Sequence, residues 1–256
     1  EMVRGGVFDE TIRFSRTARA NDPELSDHNE FQAGRNVWAC LGLQLVVQRQ
    51  QAACSDAVVG YSMLYPYTDN LLDDPELGRA EKLEFQERFR RRLAATHSAE
   101  DDAWADARPA ARKAFAQVGL VERAWERARH PRTFCSLLAI HDAQTRSLGV
   151  HCTPGTAAYR ELLYVTVHKG GTSVLADAFM VSGDSCSRGL AAFAFALGVG
   201  LQFVDDLQDV QEDCAAGQNT LFTGPFAAQG AGGYADEGAR RLCCFLDHAV
   251  LGGVEE

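Results

Sequence analysis

The segment LQFVDDLQDVQED, residues 201–213, places five carboxylates within nine positions directly after the apolar run AFAFALGVG. An α-helix turns about 100° and climbs ~1.5 Å per residue. Asp205, Asp209 and Asp213 therefore drift by only about 80° over roughly 12 Å and share one face. Gln202 stands one turn before Asp206 and borders that face, while Asp206 and Glu212 lie further round. Like charges at i, i+4 repel one another along a helix, and the C-terminal half of a helix is the wrong end for anions. A bound cation would offset both costs. The spacing alone leaves a solvated acidic helix end and a metal site equally open.

Working outward, helix-forming residues fill most long segments, and the expected class is all-α. Residues 36–50 read as a core helix. Residues 53–73 read as another, with Pro66 inside it, and Asp74 ends it ahead of Pro75. Residues 80–95 form an amphipathic, charged helix. Residues 100–129 hold one or two helices, interrupted near Pro109 or Gly119. Pro131 suits the first turn of a helix reaching about Leu148. Residues 156–182 are mixed. Tyr164-Val165-Thr166-Val167 has strand character and Lys169-Gly170-Gly171 is turn-like, but the flanks are helical, so a helix broken at Gly170-Gly171 is expected. The next helix runs over about 187–215, with Gly217 as its C-cap. A Gly-rich loop over 223–233 and a last helix over 234–250 follow. Residues 1–256 read as a single all-α domain of eight to ten helices.

The apolar fraction of 46% supports a substantial core, and the net charge is −10. The one basic block is Arg90-Arg91-Arg92, so no nucleic-acid partner is expected. The eight cysteines show no C-x-x-C pairing, which fits free thiols in a reducing cytoplasm. The apolar run from Leu190 to Leu201 is short for a bilayer, so no transmembrane segment is expected. The N-terminal residues show no signal-peptide pattern.

A second acidic pair, Asp69 and Asp73, again at i, i+4, closes another largely apolar helix. Should the two helices bring these ends to one side of a bundle, the two ladders would face each other across a cavity mouth. Mg²⁺ takes a carboxylate or two and completes its shell with water and phosphate oxygens, so the matching substrate is a diphosphate. An EF-hand does not fit, because a loop starting at Asp205 has no Gly at its sixth position.

Gly200-Leu201-Gln202-Phe203-Val204-Asp205-Asp206-Leu207-Gln208-Asp209, with Asp213, Gly217 and Thr220, resembles the second aspartate-rich motif of class I isoprenoid synthases. Asp69-Asn70-Leu71-Leu72-Asp73 resembles the first motif, in the DxxxD form of squalene/phytoene synthases and some bacterial large-terpene synthases. Lys169-Gly170-Gly171 falls where trans-prenyltransferases carry a Lys in a kinked helix, and Gln144 is similar to a Gln on an intervening helix. The likeness spans about residues 55–220. It departs from chain-elongating enzymes in Thr68, which precedes Asp69, and in Gln218, which stands where a Lys is common.

The resemblance implies an isoprenoid-synthase bundle with a central substrate cavity. It implies a terpene synthase that uses three Mg²⁺ ions, held by Asp69, Asp73, Asp205, Asp209 and Asp213, to ionise an allylic prenyl diphosphate. Asp69, Asp73, Asp205 and Asp209 would be the catalytic carboxylates. Lys169, Gly170, Gln202, Gln144, Tyr65 and Tyr61 would contact substrate, the tyrosines through their polarisable rings. Each also has a plainer reading: Lys169 as a helix cap, the tyrosines as core. The alternatives on the same fold are a trans-prenyltransferase and a squalene-type condensing enzyme, and a homodimer is open. The alternative from another class is a non-catalytic all-α binding protein.

Overall fold

Serine side chains open three helices. Ser26, Ser55 and Ser98 accept the N–H of Asn29, Val58 and Asp101 respectively, which satisfies donors that the first turn leaves unpaired. Pro109 and Pro131 open two more from the first helical position. In the computed structural model, residues 6–49, 51–74, 76–151, 159–223 and 240 are described. Among them are ten α-helices and no strand. These are α1 (Val7–Asn21), α2 (Asp27–Gly42), α3 (Asp56–Asp73), α4 (Arg79–Leu93) and α5 (Ala99–Asp106), followed by α6 (Pro109–Ala124), α7 (Pro131–His151), α8 (Tyr159–Ser182), α9 (Arg188–Gln208) and α10 (Val210–Ala216). The all-α expectation holds. Pro75, Cys152, most of the expected Gly-rich loop and nearly all of the expected last helix, with Cys243 and Cys244, lie outside the described residues.

The helices divide into two compact units: Glu1–Leu138 with Ala176–Leu190, and Ala139–Leu175 with Ala191–Glu256. In the first, α3 packs on α6 and α2. Val58, Leu64, Leu41, Val118 and Val121 fill that core, and Phe85 stacks on Phe89 at 5.5 Å between ring centres. The basic block is spent on neighbours: Arg91 pairs with Asp101 at 2.6 Å and Arg92 with Glu122 at 2.6 Å. Asp101 receives Arg88 as well, and these bonds, Arg91's first, hold its carboxyl well below the usual range.

Asp177 of α8 is wholly buried in the same unit. Cys40 donates its thiol to Asp177 Oδ1 at 3.1 Å, and Oδ2 has no hydrogen-bond partner among the described residues. Burial pushes the carboxyl up to about 8, so it stays protonated at neutral pH.

In the second unit, Val199, Phe203, Val210, Leu221 and Phe222 form a core, with Leu162, Val167 and Phe195 packed against it. Here two expectations are corrected. Helix α8 runs unbroken through Gly170 and Gly171. A Cβ on Gly170 would meet Gln202 Cβ at 2.5 Å and Gly198 O at 2.6 Å, and a Cβ on Gly198 would meet Gly170 O at 2.1 Å. Gly171 lies under the Phe195 ring, which an added Cβ would meet at 2.4 Å. These glycines thus serve a backbone-to-backbone helix crossing, and its packing outweighs their propensity cost of about 1 kcal/mol each.

The helix expected over 187–215 is divided at Asp209 (φ −92°, ψ 4°) into α9 and α10. The i→i−4 bonds still cross the division: Asp209 N–H reaches Asp205 O at 3.0 Å, and Asp213 N–H reaches Asp209 O at 2.8 Å. Repulsion along the Asp205–Asp209–Asp213 ladder opposes a regular helix at this point.

Three further points follow from local chemistry. The helix expected from residue 36 starts at Asp27, because Ser26 caps it, and it continues beyond Gly42 as a π-helical turn, Leu43–Val47. The break within 100–129 falls at Pro109, while Gly119 stays inside α6. Gly217 closes α10 in the left-handed region at φ 69°, as expected for a C-cap.

Two substitutions on one helix test the crossing. Gly198→Ala forces the α8 and α9 backbones apart and should lower stability by about 1–3 kcal/mol. Nothing lies within 4 Å of a Cβ on Gly200, so Gly200→Ala should raise stability by about 0.5–1 kcal/mol. Urea melts of the two variants read both signs, and a stabilised Gly198→Ala would refute the crossing.

Candidate functional site

The crossing at Gly170 and Gly198 fixes which side chains of α8 and α9 meet further along the pair. One turn before Gly170 stands Thr166, and two turns after Gly198 stands Asp206. Thr166 Oγ1 donates to Asp206 Oδ2 at 3.5 Å. Gln202 Nε2 donates to Asp206 Oδ1 at 2.8 Å. Asp206 is 9% exposed. Burial pushes its carboxyl up to about 6; the Gln202 bond and the Lys169 charge oppose that rise, while Asp213 and Asp205 add to it. Asp213 is also pushed up to about 6, by burial first and then by Asp209, Asp205 and Glu212, again with Lys169 opposing.

The structure therefore brings Lys169, Gly170, Gln202, Asp205, Asp209 and Asp213 into one electrostatic neighbourhood in the second unit. Asp205 and Asp213 are half-buried and Asp209 is exposed. Sequence reasoning undervalued Asp206: its place a third of a turn from Asp205 aims it at α8, the side that the ladder argument left empty. Gln202 at i−4 was the available signal. Thr166 carried none, since only the crossing puts it there.

Gln144 is half-buried on α7 in the same unit, and its carbonyl accepts the Ser147 hydroxyl at 2.8 Å. The apolar positions before Asp205 are sorted between two sides of α9. Gly198 and Phe195 face α8, whereas Phe193 (49% exposed), Leu197 (39%), Leu201 (50%) and Val204 (39%) form an open stripe. It extends about 16 Å along α9 and ends at Asp205.

Helix α9 is long and apolar enough by length and composition to cross a membrane. Its Gly198 packs on Gly170 and its Asp206 is bonded to Thr166, as in a helix of a folded unit.

The other expected carboxylates belong to the first unit. Along α3, Tyr61 is buried, and Tyr65 and Asp69 are half-buried. Asp73 is the last residue of α3, and its side chain lies outside the described residues. Asp74 leaves the helix with ψ 116°, as the following proline requires. A cleft of about 550 Å³ in this unit is lined by Pro66, Tyr67, Asn70 and Leu71 of α3 among others, not by Tyr61, Tyr65 or Asp69.

Among the described residues, no three His, Cys, Asp or Glu groups converge on a point that could hold a metal ion. Mg²⁺ asks less of the protein: one or two carboxylates, with water and phosphate oxygens completing the octahedron. The donors at the end of α9 are all hard oxygens, the type that suits this ion. Two of them are raised in part by mutual repulsion that a cation would relieve. On donor chemistry the cluster fits Mg²⁺.

Raised carboxyls carry a definite pH signature. With folded values of about 6 against an unfolded value near ~3.9, Asp206 and Asp213 stabilise the fold fully below about pH 4. That contribution is lost as pH rises through about 6. Asp206→Asn keeps the acceptor for Gln202 and removes the titration. In metal-free buffer the melting temperature of Asp206→Asn relative to the unmodified protein should rise between pH 4.5 and pH 7.5. A gap that stays constant over that window would contradict the burial of Asp206.

No protein family, curated protein or solved structure matches this chain.

Proposed function

We propose that the protein is a Mg²⁺-dependent class I terpene synthase that ionises an allylic prenyl diphosphate and releases diphosphate with a terpene product. The observation that carries this reading is the junction on α9 of an acidic cluster with a cation, Lys169, and an exposed apolar stripe. An amphiphile with a polyanionic head and a hydrocarbon tail has the complementary pattern.

Asp205, Asp209 and Asp213 would hold the metal, which supplies Lewis-acid neutralisation of the departing diphosphate. Lys169 adds a fixed ammonium to the same head group. Gln202 and Thr166 hold Asp206 in place beneath the cluster, so the ladder keeps its geometry as charge develops. Leu201, Leu197 and Phe193 offer the tail an apolar wall, and covering them with substrate excludes water from a cationic hydrocarbon. Asp69 and Asp73 enter this proposal through the first aspartate motif alone.

Incubation with allylic diphosphates of graded chain length, with and without Mg²⁺ and with and without isopentenyl diphosphate, tests the reading by mass spectrometry of products. A single allylic substrate should suffice. A strict need for isopentenyl diphosphate would point to the prenyltransferase instead. Asp205→Ala should lower turnover by at least about 100-fold with an unchanged helical circular-dichroism spectrum, and Asp69→Ala tests the first motif separately. Absence of Mg²⁺-dependent turnover with every substrate, or full turnover in Asp205→Ala, would overturn the proposal.

A further inference from the structure

We infer a second binding site in the first unit: the cleft beside α3 takes a small zwitterion with an apolar body, of the α-amino-acid class. Its volume of about 550 Å³ falls within the roughly 300–1,000 Å³ of small-molecule sites. The charges on its walls fall into two groups. Those of Asp22 and Glu24 are spent on Lys113, which lies 3.8 Å from Glu24. Lys113 Nζ lies 2.9 and 2.8 Å from the two Asp22 oxygens, and Tyr67 Oη donates to the same carboxylate at 2.6 Å.

The remaining charges have only local neutral partners among the described residues. Asp74 accepts the Glu76 N–H at 2.8 Å, and Glu81 accepts the Gly78 N–H at 3.1 Å, with no cation on either. Arg108 lies over the Trp104 ring at 4.3 Å and donates to the Trp104 carbonyl at 3.1 Å, with no carboxylate. Leu71, Leu77 and Phe85 supply apolar lining to the same cleft. Asp74 is half-buried, whereas Glu81 and Arg108 are exposed at the edge of the cleft, and charged groups so placed bind an opposite charge through strong charge-assisted hydrogen bonds. Uncommitted carboxylates and an uncommitted guanidinium around one apolar cleft therefore select a ligand with an ammonium, a carboxylate and a hydrophobic side chain. A plain amine would leave Arg108 without a counter-charge, and a plain carboxylate would meet Asp74 and Glu81.

This inference is independent of the proposed synthase activity. Its test is calorimetric titration of the full chain with L-phenylalanine, 2-phenylethylamine and 3-phenylpropanoate. L-Phenylalanine should bind at least about tenfold more tightly than either single-charge analogue, a tenfold step being one decade in Kd. Arg108→Gln should remove that advantage over 2-phenylethylamine while leaving 2-phenylethylamine binding unchanged. Asp74→Asn with Glu81→Gln, which keeps both backbone acceptors, should remove the advantage over 3-phenylpropanoate. Equal affinity for the three probes, no heat with L-phenylalanine up to about 10 mM, or an unchanged preference in melting-verified folded variants would each overturn the assignment.

Discussion

The contact between the Gly170 and Gly198 backbones is the constraint on which the second unit depends. Two helices normally lie 8–10 Å apart because side chains fill the space between them. Here neither helix has a side chain at the crossing, so the pair is locked in register as well as in distance. As α8 runs back from Val174 through Gly170 to Thr166, its partners on α9 run forward from Gly198 through Gln202 to Asp206. The helices are antiparallel, and the position of Asp206 follows from a glycine two turns away.

That register sets the electrostatics. Asp206 is carried inward while Asp205 stays half-buried and Asp209 reaches solvent, so one short acidic run is spread over a gradient of burial. Carboxylates so placed raise one another, and Lys169 of α8 is the cation that opposes them. The first unit handles charge differently. Asp101, Glu122 and Asp22 each receive a Lys or Arg directly. Lys113 and Tyr67 bonds hold Asp22 below its ordinary value even though burial is the larger single influence and acts the other way. Paired charge of that kind stabilises a fold, whereas accumulated charge of one sign costs stability until a ligand neutralises it.

Several helices and some of their ends were legible along the chain because they are local, although no expectation covered α1, and α2 begins well before residue 36. A proline at a first turn and a glycine after a last turn act within a few residues; a serine cap is as local, yet no expectation rested on Ser26. The i, i+4 ladder was legible for the same reason, and the neighbours Asp205, Asp209 and Asp213 do influence one another. Gly170-Gly171 misled because glycine has two uses with the same local signature. It frees the backbone to turn, and it admits another backbone to close approach; only the second partner, Gly198, distinguishes them.

By itself, then, the amino-acid sequence determined the all-α class, several helix boundaries and the clustering of carboxylates on one turn-to-turn face. These depend on forces that reach no further than a turn or two. Only the tertiary structure decided that α8 stays whole, that Phe195 packs on Gly171 while Leu197 and Leu201 remain open, and that Asp206 is the buried member of the acidic run. Those outcomes rest on contacts between residues some 20 to 40 positions apart, where the crossing of two backbones, rather than local preference, chooses which side of a helix is inside.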